Sequence, residues 1–221
     1  MAVDVGNVRK MSEQERSDIQ TEIDGWRIVD GKLHATFMTG DFLSGAEFVA
    51  GITELAEAAN HHPEVDLRYG SVHVSMISHD VGKLTQRDTA LANQISQLAQ
   101  QLDLTVDVKK PRVVTVGIDA IDIPAVLPFW KAVAGYKQAG DDMLVDPNDI
   151  QPPIWFQQMD APRPQRNRIH LDVHVAADVA KDRVDAALAA GGHLINEDHA
   201  PSFWVLGDAE GNEACVCTWQ S

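Results

Sequence analysis

The chain has 221 residues, 44% of them apolar, a length that suits two compact domains of roughly 100 residues each. Its formal net charge is −15, with 10 Lys and Arg against 17 Asp and Glu in residues 1–110 and 8 against 16 in residues 111–221. Both halves would repel phosphate backbones, so a nucleic-acid partner is not expected, and no run of eighteen apolar residues offers a membrane span.

The first twenty residues lack the apolar stretch of a secretory signal, which makes the cytoplasm the expected compartment. Residues 1–10 have no periodicity and read as an arm. Ser12, with Glu15 three residues on, reads as a capping box opening a short helix. "GWRIVDGKLHATFM" alternates around Asp30-Gly31 and predicts a β-hairpin. Asp41 or Ser44 can cap the next helix, which runs to Asn60 with Phe48, Ile52, Leu55 and Ala59 on one stripe. His61-His62-Pro63 ends it, because a residue before proline is pushed out of the α region.

Two strands follow around Gly70-Ser71. In the second, Val72, Val74, Met76 and Ser78 share one face, and His73, Ser75, Ile77 and His79 the other. Thr85 and Asp88 form another capping box, opening a helix with Ile95, Leu98 and Leu102 inward. "LTVDVKK" predicts a closing strand. The expected fold class is α+β: an antiparallel sheet with helices on one face, occupying residues 1–108.

After "KKPR" (109–112) the pattern restarts and then repeats. "VVTVGIDAID" predicts a strand, "IPAVLPFWKAVAGY" a helix ending at Gly135, and "DMLVD" and "PIWFQQM" two strands. A second seam, "DAPRPQRN", follows. Then "RIHLDVHVAAD" predicts a strand, "VAKDRVDAALAAGG" a helix, and "HLINE", "SFWVLGD" and "NEACVCTW" strands. Residues 112–221 thus read as a βαβββ unit used twice, a pseudo-symmetric pair with a shared cleft rather than a solenoid. Cys215 and Cys217, the only cysteines, read as small buried strand residues and exclude a disulfide framework. Trp155, Trp204 and Trp219 read as core.

The first half contains the string Glu57-x3-His61-His62-Pro63-x5-Tyr69-x9-His79-x8-Asp88. A single histidine ending a helix is ordinarily a solvated cap; seven fixed positions in step are not. The string resembles the signature of pterin-4a-carbinolamine dehydratases. "DGWRIVDGKLHATF", with Trp26, and "GKLTQRDTALANQI" extend the likeness over residues 11–105. The resemblance implies a hydro-lyase that converts a 4a-hydroxy-tetrahydropterin to the quinonoid dihydropterin, as in tetrahydrobiopterin recycling, without metal or organic cofactor. It implies His61, His62 and His79 as catalytic residues, with Glu57, Pro63, Ser78, Asp88 and Trp26 in substrate-binding or supporting roles. It also implies a homo-oligomer, a dimer or tetramer. Ile77 departs from the family, which commonly has a small polar residue there. Tyr69 reads as packing, and Asp88 could be no more than a helix cap.

Imidazole suits this chemistry. The departing hydroxyl must gain a proton while a ring nitrogen loses one, and both partners should titrate near neutrality, as histidine does at about 6.5. The expected division has His61 and His79 transferring protons and His62 holding the pterin, with acid and base unassigned. Glu57, one turn before His61, is expected to reach an imidazole at i, i+4.

Residues 112–219 resemble the glyoxalase-like (vicinal oxygen chelate) superfamily, through the paired units, "RIHLDVHV" and "DAEGNEACV". Metal-dependent members place one ligand on each of four strands. His170 and Glu213 match two of those positions, whereas Val114 falls where the first copy would supply a third. Two protein ligands rarely hold a divalent ion tightly. His170, Asp172 and His174 share one strand face, as do Glu213, Cys215 and Cys217, and together the faces could rebuild a site. The alternatives to the dehydratase are a metal-dependent lyase or dioxygenase built on this half, or a non-catalytic pterin or small-molecule binding protein.

Overall fold

The structure is a computed structural model, and it describes residues 23–161, 170–175, 177–218 and 220. The expected Ser12 helix, most of the "DAPRPQRN" seam and Trp219 lie outside the described residues. The chain divides into two compact units, Met1–Val113 and Val114–Ser221. No helix among the described residues is long and apolar enough to cross a membrane.

The first unit is the expected α+β layer. Strands β1 (Arg27–Val29) and β2 (Lys32–Met38) form the hairpin, and its turn residues Asp30 and Gly31 have φ of 46° and 77°. Two positive φ values match the right-handed strand twist, which is why Asp-Gly stands there. Helix α1 (Phe42–Ala59) is capped by Asp41, whose Oδ1 accepts from the Ser44 amide at 2.8 Å. Strands β3 (Glu64–Arg68) and β4 (Ser71–Met76) follow, then helix α2 (Gln86–Gln101) and β5 (Thr105–Val106). The sheet order is β1-β2-β4-β3, with β5 on β2, and every pairing is antiparallel.

The helices cover the face that carries Leu33, Ala35, Phe37, Val72, Val74 and Met76, all 0% exposed. The inward stripe of α1 is Gly45, Phe48, Ile52 and Ala56, one residue off the expected stripe at its end: Leu55 is half-buried and Ala59 exposed. Gly45 sets the approach, since a Cβ there would stand 2.5 Å from Leu67 Cδ1. Helix α2 buries Leu91, Ala92, Ile95 and Ala99, while Leu102 is 40% exposed because the helix ends at Gln101.

The second unit repeats one topology. The first copy is β6 (Val116–Ala120), α3 (Ile123–Ala134), β7 (Lys137–Gln138), β8 (Met143–Val145) and β9 (Ile154–Gln158), in sheet order β6-β9-β8-β7. The second is β10 (Leu171–His174), α4 (Ala177–Ala189), β11 (His193–Asn196), β12 (Phe203–Gly207) and β13 (Glu213–Cys217), in order β10-β13-β12-β11. In each copy the first and last strands pair in parallel, and the rest antiparallel. Both copies share one core, in which Phe129 and Trp130 of α3 meet Val184 and Ala187 of α4. The buried Asp208 carboxylate accepts from Trp130 Nε1 at 2.9 Å and from the Asn212 amide at 2.8 Å. Glu210 accepts from the amides of Ile121 and Asp122, tying the second copy to the start of α3. Trp204 is core as expected, but Trp155 is 37% exposed, lying across Gly117 on the neighbouring strand.

Candidate active site

The last turn of α1 decides where the paired histidines go. Asn60 adopts the left-handed conformation, with φ 45°, and the His61 amide bonds back to the Ala56 carbonyl at 3.1 Å. This is a Schellman-type stop, and asparagine tolerates the left-handed region better than most residues. The reversal sends the two neighbouring rings in opposite senses. His61 turns inward and is 6% exposed; His62 stays outside.

His61 Nε2 lies 2.9 Å from Oδ1 of Asp88, which is 0% exposed. Asp88 is the third residue of α2, and its second oxygen accepts from the Thr85 amide at 2.6 Å and from Ser78 Oγ at 2.7 Å. Ser78 and Thr85 hydroxyls are themselves 2.8 Å apart. Asp88 is therefore a helix cap and a histidine partner at once, and a buried carboxylate with this many donors is satisfied. An ionised carboxylate can only accept, so in this contact Nε2 of His61 is the donor to Asp88.

His79, next to Ser78, is exposed, and its Nε2 lies 3.0 Å from Glu64 Oε1. Glu64 is two residues beyond His62 and opens β3. Its other carboxylate oxygen is buried with no hydrogen-bond partner among the described residues. His62 Nε2 lies 3.1 Å from Glu57 Oε1, with the two side chains 57% and 72% exposed.

The structure pairs His61 with Asp88, which also holds Ser78, pairs His79 with Glu64, and pairs His62 with Glu57. Three expectations change. Glu57 pairs with His62 rather than with His61, because the left-handed Asn60 carries His61 off the helix surface. Trp26 is part of the core, 0% exposed, packed edge-on to Phe37 and donating to Ser96 Oγ at 2.9 Å. Tyr69 is 76% exposed at the β3–β4 turn and packs no core in this chain. Glu64 was missed by sequence reading; only its position just after His62-Pro63 hinted at it.

A second histidine pair lies on the other sheet face. His34 Nδ1 is 3.2 Å from His73 Nε2, and His73 Nδ1 is 2.9 Å from Thr36 Oγ1. Burial pulls the His73 pKa below the ordinary histidine value, partly opposed by the Asp66 carboxylate.

In the second unit the four-strand ligand set does not fit a metal. Val114 is 63% exposed and has no donor, and among the described residues no group of three His, Cys, Asp or Glu donors spans the two copies. Glu213 lies on β13, and His170, just before β10, pairs with Asp172 at 3.3 Å. Cys215 and Cys217 are free and buried. Burial pushes the Cys215 thiol up to about 12, helped by the neighbouring Asp172 carboxylate.

The family described as pterin 4 alpha carbinolamine dehydratase matches residues 9–98, and the glyoxalase-like domain matches residues 115–217. A Nostoc punctiforme protein named "Putative pterin-4-alpha-carbinolamine dehydratase" is 38% identical over 86 residues, spanning 38% of this chain and 92% of that protein. Among solved structures, a transcriptional coactivator/pterin dehydratase from Brucella melitensis is 28% identical, covering 40% of this chain and 97% of that one, with a TM-score of 0.39. A glyoxalase/bleomycin resistance protein/dioxygenase family enzyme from Burkholderia phytofirmans is 21% identical, covering 48% and 97%, also with a TM-score of 0.39. The chain belongs to the pterin-4-alpha-carbinolamine dehydratase family through its first unit, and its second unit matches the glyoxalase-like domain.

Proposed function

We propose that the first unit dehydrates a 4a-hydroxy-tetrahydropterin to the quinonoid dihydropterin by histidine acid–base catalysis. The observation that carries this reading is a pair of carboxylate-partnered imidazoles at neighbouring positions: His61 on the buried Asp88, which also holds Ser78, and His79, the residue after Ser78, on Glu64. One can donate a proton to the leaving C4a hydroxyl while the other accepts one from ring nitrogen. Water leaves, the ring gains a double bond, and no electron is exchanged with the protein.

The partners support a division of labour. Asp88 is buried and holds His61 in a sealed pair, whereas the His79–Glu64 and His62–Glu57 pairs are both exposed. In this reading His61 and His79 transfer protons, and His62 holds the pterin with Pro63 fixing the backbone behind it. The dehydration needs no cofactor. The reading extends to tetrahydrobiopterin recycling in the cytoplasm by a homo-oligomer, and sedimentation of the full chain tests the last point. The decisive experiment is stopped-flow dehydration of freshly generated 4a-hydroxypterin by wild type and His79→Ala. Tight pterin binding without turnover in the wild type would instead mark a binding protein.

A further inference from the structure

The segment between β4 and α2 carries His79, and one turn of helix holds the residues on either side of it. Ser78 is 0% exposed, and its Oγ donates to Asp88 Oδ2 at 2.7 Å. Asp80 is exposed, and its Oδ1 accepts from an Arg87 guanidinium nitrogen at 2.5 Å. Arg87 and Asp88 are consecutive residues in the first turn of α2. Two adjacent helix positions therefore grip the residues just before and just after His79, one from inside the fold and one from its surface.

The segment itself is a closed turn. The amides of Val81 and Gly82 bond back to the Ser78 carbonyl at 3.2 and 2.9 Å, and Ser78 pairs with Lys83 as an isolated bridge. Gly82 has φ of 63°, a conformation in which glycine meets no Cβ penalty. A turn anchored at Ser78 alone could swing about that point. A second anchor at Asp80 stops the rotation.

Helix electrostatics do not account for Arg87. A cation in the first turn opposes the helix dipole, which favours negative charge there. The Asp80 carboxylate supplies the reason for an arginine at this position. The Arg87 guanidinium in turn holds the Asp80 carboxyl below the ordinary aspartate range, with a smaller contribution from His61. We propose that the Arg87–Asp80 pair is the positioning clamp of His79, fixing its ring opposite His61 for proton transfer across one bound pterin. The clamp rests on the dehydratase reading and refines it. Arg87 and Asp80 act through His79 and move no proton themselves.

This role can be told from a structural one. An exposed ion pair adds little to folding stability, because water and salt screen it and two long side chains lose freedom. Catalysis is more sensitive to placement, since a shift of about 1 Å in a reacting group can cost about 100-fold in rate. Loss of the clamp should therefore appear in kcat and leave the urea midpoint almost unmoved.

The test is a double-mutant cycle on the full chain in the stopped-flow dehydration assay, with Asp80→Asn, Arg87→Gln and both together. Each single variant should lower kcat about threefold to tenfold with KM within about twofold. The double variant should lose no more than either single one, because removing half of a clamp removes all of it. An active wild type with kcat unchanged in both single variants, or with losses that multiply in the double variant, would overturn the clamp alone. So would a rise in KM confined to Arg87→Gln, which would make Arg87 a substrate contact, or a urea midpoint that falls in step with kcat, which would make the pair structural. An inert wild type would overturn the dehydratase reading and the clamp together.

Discussion

The two units use histidine and carboxylate in different ways. In the first, His61 and His79 each face a carboxylate from a separate segment, and one of these, Asp88, is sealed at 0% exposure with four donor contacts. In the second, His170 and Asp172 lie in sequence on one exposed strand edge and lean on a buried thiol. A buried, saturated carboxylate fixes ring orientation; a half-solvated pair leaves both side chains free to turn.

The largest effect should come from breaking the sealed centre. Asp88→Ala strands Ser78, the Thr85 amide and His61, and at about 1–3 kcal/mol for each buried group left unpaired it should cost at least about 3 kcal/mol by urea denaturation. Dehydration should fall with it by at least about 100-fold. Next, His61→Ala and His79→Ala should each lower the stopped-flow rate at least about tenfold with the far-ultraviolet spectrum unchanged; near-wild-type rates in both would dissolve the contrast between the units. Glu64→Gln keeps the shape and removes the charge beside His79. It should lower kcat by about threefold to tenfold with KM little changed, the signature of a positioning residue.

A smaller effect is expected at His73. Its ring is harder to protonate in the folded chain than in the unfolded one, chiefly through burial. Below the unfolded value of about 6.5 the unfolded chain therefore binds more protons, so stability falls as pH drops through that range, and nothing is lost above it. Urea midpoints at about pH 7.5 and 5.5 should differ less in His73→Gln than in wild type. The smallest effect, none, is expected on dehydration when the chain ends at Val113 or when chelator is added; a folded but inert first unit would assign the chemistry wrongly.

Local features were legible. Asp30-Gly31 requires two positive φ values and so announces a hairpin; Thr85 and Asp88 announce a helix start; Gly135 closes α3 in the left-handed conformation. These depend on residues a few positions apart. The partner of Glu57 was not legible, because one dihedral angle at Asn60 exchanges His61 for His62. Nor was Glu64, whose role depends on the loop after β4 returning over β3.

By itself the sequence determined most of the described elements, the repeat in the second half and the spacing that marks the family, since each is written in propensity and periodicity over short stretches. The tertiary structure alone decided that Asp88 serves two masters, that Trp26 belongs to the core and that Cys215 sits beside Asp172. Those are distances between segments far apart in the chain, and register and chain reversal, not composition, set them.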